Sequence, residues 1–272
     1  MYSGSTFTSF SGRLLGAHQK INRQARHHLE RLAPQALFPD VRTILHFEGG
    51  NGPDAIKRKS PAINEPWHYL RPFDRGDTQL IKLVEQHYKD LVKALKNKDD
   101  IRSAFEAAWL AHAIVDGLTP AHHYPYEEKL VELSNGRDIK ERTTLWKKLF
   151  MPGTSILQFF RNNWQMWGPK GLFTTHSGFE CGTAMLIAPL KARHTAPTDD
   201  FVAKFEKQSL DQWFRGLAQD VAKLELYDAF YTNGWTIDLA RRVRNELAPV
   251  LVQAVSLVWY GAVRDAGLLQ GV

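Results

Sequence analysis

The sequence predicts an all-α protein, a single multi-helix domain over residues 1–272. Three observations predict it. Apolar residues recur three and four apart through most of the chain, as they do on the buried face of a helix. No stretch shows the sustained apolar–polar alternation of half-buried strands. Gly, Pro and Asn gather between the periodic segments without an internal repeat or a low-complexity linker, and 272 residues that are 43% apolar can supply one sizeable core.

Residues 1–11 are expected to form a flexible N-terminal segment. From about 12 to 33, Leu14, His18, Ile21, Ala25 and Leu32 fall along one side of a helix that Pro34 stops. Residues 46–77, rich in Gly, Pro and Asn, are predicted to be irregular but ordered, because Trp67, Tyr69 and Phe73 are interleaved there. Long loops in compact domains are usually functional or disordered. Residues 77–97 and 99–118 read as two amphipathic helices joined by a very short link, hence an antiparallel pair. Shorter helices are predicted near 127–134, 138–150, 153–165 and 174–190, and long ones near 209–229 and 236–267. The longest apolar stretch, Leu247 to Val263, contains Gln253 and is short for a membrane span, so it predicts a buried final helix.

The net charge of +6 favours anionic partners such as phosphate esters, nucleic acid or acidic lipid surfaces. Cys181 is the single cysteine, so an internal disulfide and a thiolate metal cluster are excluded. Any metal site must be made of His, Asp and Glu. The opening residues lack a basic region followed by an apolar run, so no secretory signal is expected. That leaves a cytosolic protein or one whose leader is not part of this chain.

On the helix from residue 99, Phe105, Trp109, His112 and Asp116 recur at four, three and four, which turns all of them to one inward face. A buried aspartate requires a cation, an arginine or several donors. His112 and Asp116, one turn apart, can chelate one metal ion, and Pro120 ends the helix so that His122 can swing back towards the same cavity. "HSGFE" repeats the device with His176 and Glu180. Two such imidazole–carboxylate pairs are a usual helical way to present ligands to zinc or iron. A buried polar network without metal is the plainer alternative.

These residues resemble the zinc-dependent phospholipase C and fungal/plant zinc nuclease superfamily, whose signature H-x3-D-x5-H followed by H-x3-E is present as His112, Asp116, His122 and His176, Glu180. The family also has a first-helix histidine, a loop aspartate and a histidine about fourteen residues on. His18, Asp54 and His68 stand in that order. The resemblance implies an all-α domain of the zinc-dependent phospholipase C type and a zinc-dependent phosphoric diester hydrolase using a metal-bridging hydroxide as nucleophile. One zinc would be held by Asp54, His68, His112 and Asp116, and a second by His122, His176 and Glu180. His18 and Asp116 would hold a third, with Asp116 bridging. The family completes that third site with the amino group and carbonyl of an N-terminal tryptophan. No tryptophan precedes Trp67 here. Two to three zinc ions are therefore expected, the third weak, absent or completed by another group.

Asp54 and Asp116 are the catalytic candidates, Asp54 also as proton acceptor from the attacking water. Lys57 and Arg58 would add charge complementary to phosphate, and Trp67 and Tyr69 an apolar wall for a lipid stem or a stacking surface for a base. The fourteen-residue spacing and the lack of a cysteine pair favour phospholipid over nucleic acid, with transient membrane-surface contact and no obligate protein partner. The alternatives are a single-strand-preferring zinc nuclease of the same superfamily and a catalytically degenerate zinc-binding protein. The family is typically secreted. His123 is expected outside the ligand set, and His27 and His28 at the surface.

Overall fold

The computed structural model describes residues 1–3 and 16–269. Among these residues the chain is all-helical, a single helical domain. Helix α1 (Ala17–Leu32) buries Ala17, His18, Ile21, Ala25 and Leu29. Helix α2 (Val41–Glu48) opens on Asp40, whose carboxylate accepts from the backbone N–H groups of Arg42 and Thr43 at 2.8 and 3.0 Å. A four-residue turn leads into α3 (Pro53–Lys59). A Cβ on Gly52 would lie 2.4 Å from the Glu48 carbonyl oxygen and 2.9 Å from its Cα. Only glycine allows that approach, which folds the start of α3 back onto the end of α2.

Helices α4 (Gln79–Lys96) and α5 (Asp100–Gly117) are the expected antiparallel pair. Their link turns at Lys98 in a left-handed conformation, φ 54°, and Asp99 then caps α5 by accepting from Arg102 N–H at 2.9 Å. Helix α5 is buried on nearly every side from Ala107 to Gly117, because α1, α2, α4 and the last helix all pack on it. It is a central rod whose polar residues His112 and Asp116 are buried.

Beyond a 3-10 turn at Pro120–His123 come α6 (Tyr126–Leu133), α7 (Leu145–Leu149), α8 (Ile156–Trp167) and α9 (Leu172–Ile187). Tyr126, Leu130, Met151 and Met166 make a small separate core among them. Helices α10 (Asp199–Lys207), α11 (Leu210–Ala222), α12 (Leu226–Asn233), α13 (Ile237–Arg242) and α14 (Ala248–Asp265) complete the fold. Between α13 and α14 the ladder widens into a π-helical turn at Val243–Leu247. Pro249 is the cause: it has no N–H, and its ring pushes away the carbonyl four residues earlier. The run Ile237–Asp265 is long and apolar enough to cross a membrane, but 72% of its most apolar window is buried inside the domain. Trp259 is fully buried and its indole donates to the Ala107 carbonyl at 3.0 Å, tying α14 to α5.

Several elements differ from expectation. The irregular span 46–77 contains α3, and α2 and α10, short helices of eight and nine residues, were not anticipated. Residues 138–150 do not form one helix, because Thr144 starts a new one by capping Lys147 N–H. Residues 209–229 are divided at Glu225, φ 49°. The helix expected from 12 is described from Ala17, and its earlier residues lie outside the described part. Of the expected flexible segment 1–11, residues 1–3 are packed inside instead, with Met1 and Ser3 buried; residues 4–11 lie outside the described part.

Candidate metal centre

Helix α5 sets the geometry. Its last two turns carry His112 and Asp116 into the interior, and a tight bend follows: Thr119 N–H donates to the Asp116 carbonyl at 2.9 Å and His122 N–H to that of Thr119 at 2.8 Å. The bend returns His122 to the side on which Asp116 lies, with His122 Nδ1 3.7 Å from Asp116 Oδ1. The extended segment carrying His68 is pinned to it twice. Leu70 N–H donates to the His122 carbonyl at 3.1 Å, and His122 Nδ1–H donates to the His68 carbonyl at 2.9 Å. The second bond leaves His122 Nε2 free to serve as a ligand.

All eight candidate ligands meet in one connected cluster. His68 Nδ1 lies 2.6 Å and His112 Nε2 3.1 Å from Asp116 Oδ2, and the two imidazole nitrogens are 3.3 Å apart. Asp54 Oδ1, from the first turn of α3, stands 3.9 Å from His112 Nε2. A second group forms around Glu180 Oε1, with His122 Nε2 at 2.8 Å and His176 Nε2 at 3.2 Å. His18 Nε2, from the first turn of α1, lies 3.3 Å from Asp116 Oδ1. Asp116 therefore presents its two oxygens to two different sets of donors.

Sequence reasoning missed two participants. The first is Met1. Its amino group pairs with Asp116 Oδ1 and lies 3.1 Å from Glu180 Oε1 and 3.4 Å from His122 Nε2, while its carbonyl oxygen is 2.8 Å from His18 Nε2. The Met1 backbone thus lies against both His18 and Asp116. The second is Glu48, fully buried at the end of α2, whose Oε1 accepts from His112 Nδ1 at 3.1 Å. Glu48, His18 and His112 could themselves hold an ion. Yet His112 Nε2 already faces three other donors, so Glu48 is better placed to orient that ring than to ligate. For Glu48 no signal existed, because α2 was not expected; for Met1 the only pointer was the resemblance, whose third site uses an N-terminal tryptophan that this sequence lacks.

The electrostatics follow from burial. Burial opposes charge on Asp116, but the Met1 ammonium and the imidazoles of His122 and His112 outweigh it and hold the carboxyl well below its usual range. Glu180 is lowered in the same way by the Met1 ammonium and His176 against burial. Asp54 is lowered by Lys57, His112 and His68 against burial. Burial works against protonated His112 too, yet Asp116 and Glu48 raise it to about 10. Burial lowers His68 to about 3, helped by Lys57, and His122 to about 4, helped by the Met1 ammonium.

The donor set suits a metal ion. Nitrogens and carboxylate oxygens with no thiolate match zinc and its neighbours, and three buried or nearly buried groups of three lie within ligand reach: Asp54, His68 and His112; His122, His176 and Glu180; and His18, Glu48 and His112. The contact between His112 Nε2 and His68 Nδ1, both converging on one carboxylate oxygen, is what a shared cation would hold together. His68 Nε2 and His176 Nδ1 are buried with no hydrogen-bond partner.

The other predicted site residues are placed differently. Tyr69 lies 5.3 Å from the His122 ring and stacks on Tyr126 at 5.6 Å, and Trp67 packs against it at 5.7 Å. All but Tyr126 border a cleft of about 450 Å³ that also contains Arg71 and Lys82. Lys57 does not reach into open space for a phosphate, because its ammonium pairs with Asp54 at 2.8 Å. The side chain of Arg58 lies outside the described residues. His123 is held by the Gly117 carbonyl at 2.8 Å, outside the ligand set. His28 is buried rather than at the surface, 3.1 Å from Thr195 Oγ1, because the 3-10 turn Ala192–His194 after α9 covers it. No protein-family model and no curated protein matches the chain, so the functional reading stands on this geometry.

Proposed function

We propose that the protein is a zinc-dependent phosphodiester hydrolase of the phospholipase C-like type. The observation that carries the reading is the division of Asp116: Oδ2 faces His68 and His112, while Oδ1 faces His18 and the Met1 amine. One carboxylate between two donor sets is what two adjacent cations need. Asp54, His68, His112 and Asp116 would hold one ion, His122, His176 and Glu180 another, and His18 and Asp116 a third. When bound, zinc supplies a water of lowered pKa and positive charge for phosphate oxygens.

The chain's own residues do the rest. Asp54, kept ionised, is available to take a proton once Lys57 releases it. Glu48 and the His68 carbonyl fix the rings of His112 and His122. Tyr69 and Trp67 line the cleft beside His122 with an apolar surface, and of its two cations Arg71 is paired with Asp74, Asp77 and Glu128, which leaves Lys82 to meet an anionic substrate. The same two aromatic rings could stack a base, which favours a single-strand nuclease as the second reading.

The test assays a phosphatidylcholine-type substrate and single-stranded DNA in parallel with added zinc, and counts zinc per chain. Three zincs with lipid turnover lost in His112→Ala are expected. Turnover of DNA alone would select the nuclease, and one zinc without hydrolysis would leave a degenerate binder.

A further inference from the structure

Helix α8 is amphipathic in the wrong sense for a domain surface. At 100° per residue, Ile156, Leu157, Phe160, Trp164 and Trp167 fall on one arc of roughly 100°, and this arc points outward: Ile156 is 80% exposed, Leu157 81%, Phe160 65% and Trp164 68%. Two of its amides turn inward, while Arg161 and Gln165 are exposed. Asn162, 7% exposed, donates to the Pro152 carbonyl at 2.7 Å. Asn163 exchanges two bonds with the Met151 backbone, at 3.1 and 2.8 Å. The inward amides thus fix the helix with its apolar side towards the exterior. The end of helix α7 is joined to the end of α8 by the Trp167 indole donating to the Leu149 carbonyl at 2.8 Å, and α7 adds exposed Leu145 and Trp146.

Charge identifies what covers this face. Residues 143–171 contain neither aspartate nor glutamate, and of their cations Lys148 turns inward to pair with Glu65, while Lys147, Arg161 and Lys170 are exposed. A second copy related by two-fold symmetry would bring these cations against themselves. An anionic phospholipid surface instead meets the cations with its headgroups and the tryptophans with its interfacial zone, where their amphipathic rings prefer to sit. We propose that α8, with α7 beside it, is a docking face for anionic phospholipid bilayers. It leads straight to the metal centre: Trp167 packs on Phe173 at 4.5 Å, and Phe173 precedes His176 by one turn in α9. The catalytic consequence, presentation of lipid to the centre, rests on the phosphodiesterase reading. The docking itself does not.

The test is co-sedimentation of the full chain with phosphatidylcholine vesicles and with phosphatidylcholine–phosphatidylglycerol vesicles, zinc-loaded and after chelation. Binding to the anionic vesicles in both states is expected, with a blue shift of tryptophan emission. Phe160→Ser with Trp164→Ser should weaken it by about tenfold or more while leaving turnover of a soluble short-chain diester unchanged. Leu157→Glu is the second variant should the first fail to fold. Absence of anionic-vesicle binding, or binding unchanged in the folded variants, overturns the proposal. So does a dimer of the free protein that the double variant dissociates, since the face would then belong to a second copy. Vesicle binding without hydrolysis of any diester would keep the docking face and remove the phosphodiesterase, and the reverse result would do the opposite.

Discussion

Replacing Glu48 by Gln separates an orienting carboxylate from a structural one. Glu48 is fully buried, and its Oε1 accepts from His112 Nδ1 at 3.1 Å while its Oε2 has no hydrogen-bond partner. The bond fixes which nitrogen of His112 turns to His68, Asp54 and Asp116, and the negative charge makes that nitrogen more basic. Loss of such an outer partner typically costs 10–100-fold in metal affinity, or about 1.4–2.7 kcal/mol. Glutamine keeps an acceptor oxygen but loses the charge, so the lower end, about tenfold, is expected for Glu48→Gln, and the upper end for Glu48→Ala, which also leaves the ring unpaired. Folding should respond differently. The uncompensated Oε2 is costly to bury, so a neutral amide of the same shape should leave the unfolding free energy of the chelated protein within about 1 kcal/mol of wild type. Zinc affinity is measured by competition with a chromophoric chelator, and stability by urea titration of the chelated protein. Wild-type affinity in Glu48→Gln would refute the orienting role, as would an affinity loss no larger than the loss of folding stability.

Two further perturbations test the buried imidazoles and the turn between α2 and α3. Burial holds His28 to about 4, His68 to about 3 and His122 to about 4, against 6.5 for a free imidazole. As pH falls through that interval the unfolded chain takes up protons that the folded one refuses, so stability is full above the free value and declines below it. Each group contributes a slope of about 1.4 kcal/mol per pH unit. Urea titration of the chelated protein at about pH 7 and about pH 5 should show this acid loss, and unchanged or rising stability at the lower pH would contradict the neutral buried rings. Gly52→Ala would place a methyl 2.4 Å from the Glu48 carbonyl oxygen, a backbone atom with no room to yield. A loss of about 1–3 kcal/mol is expected, together with weaker zinc binding because the turn sets both Glu48 and Asp54. A stable variant with native zinc affinity would show that the two helix ends are positioned by something else.

What could be read in the sequence and what could not divides along the range of the interactions. His112 with Asp116 and His176 with Glu180 are each one turn apart, so helix geometry alone aims them, and the structure places both pairs in one cluster with His122, returned by the bend at Pro120. The antiparallel α4–α5 pair was legible for the same reason, since a short link leaves no other arrangement. His18, Asp54 and His68 come from separate elements, and only an ordered motif could associate them in advance. Glu48 and Met1 had no such support. Glu48 reaches His112 across 64 residues of chain, and the Met1 amine reaches Asp116 across 115. Such contacts depend on how α1, α2 and α5 pack, which no local spacing encodes. The inverted face of α8 was hidden for a related reason. Its periodicity announces a helix but not which side faces the domain, and that choice is made by Asn162 and Asn163 finding backbone partners at Pro152 and Met151. Periodicity therefore determines that a face exists, and the partners of its polar residues determine which way it points.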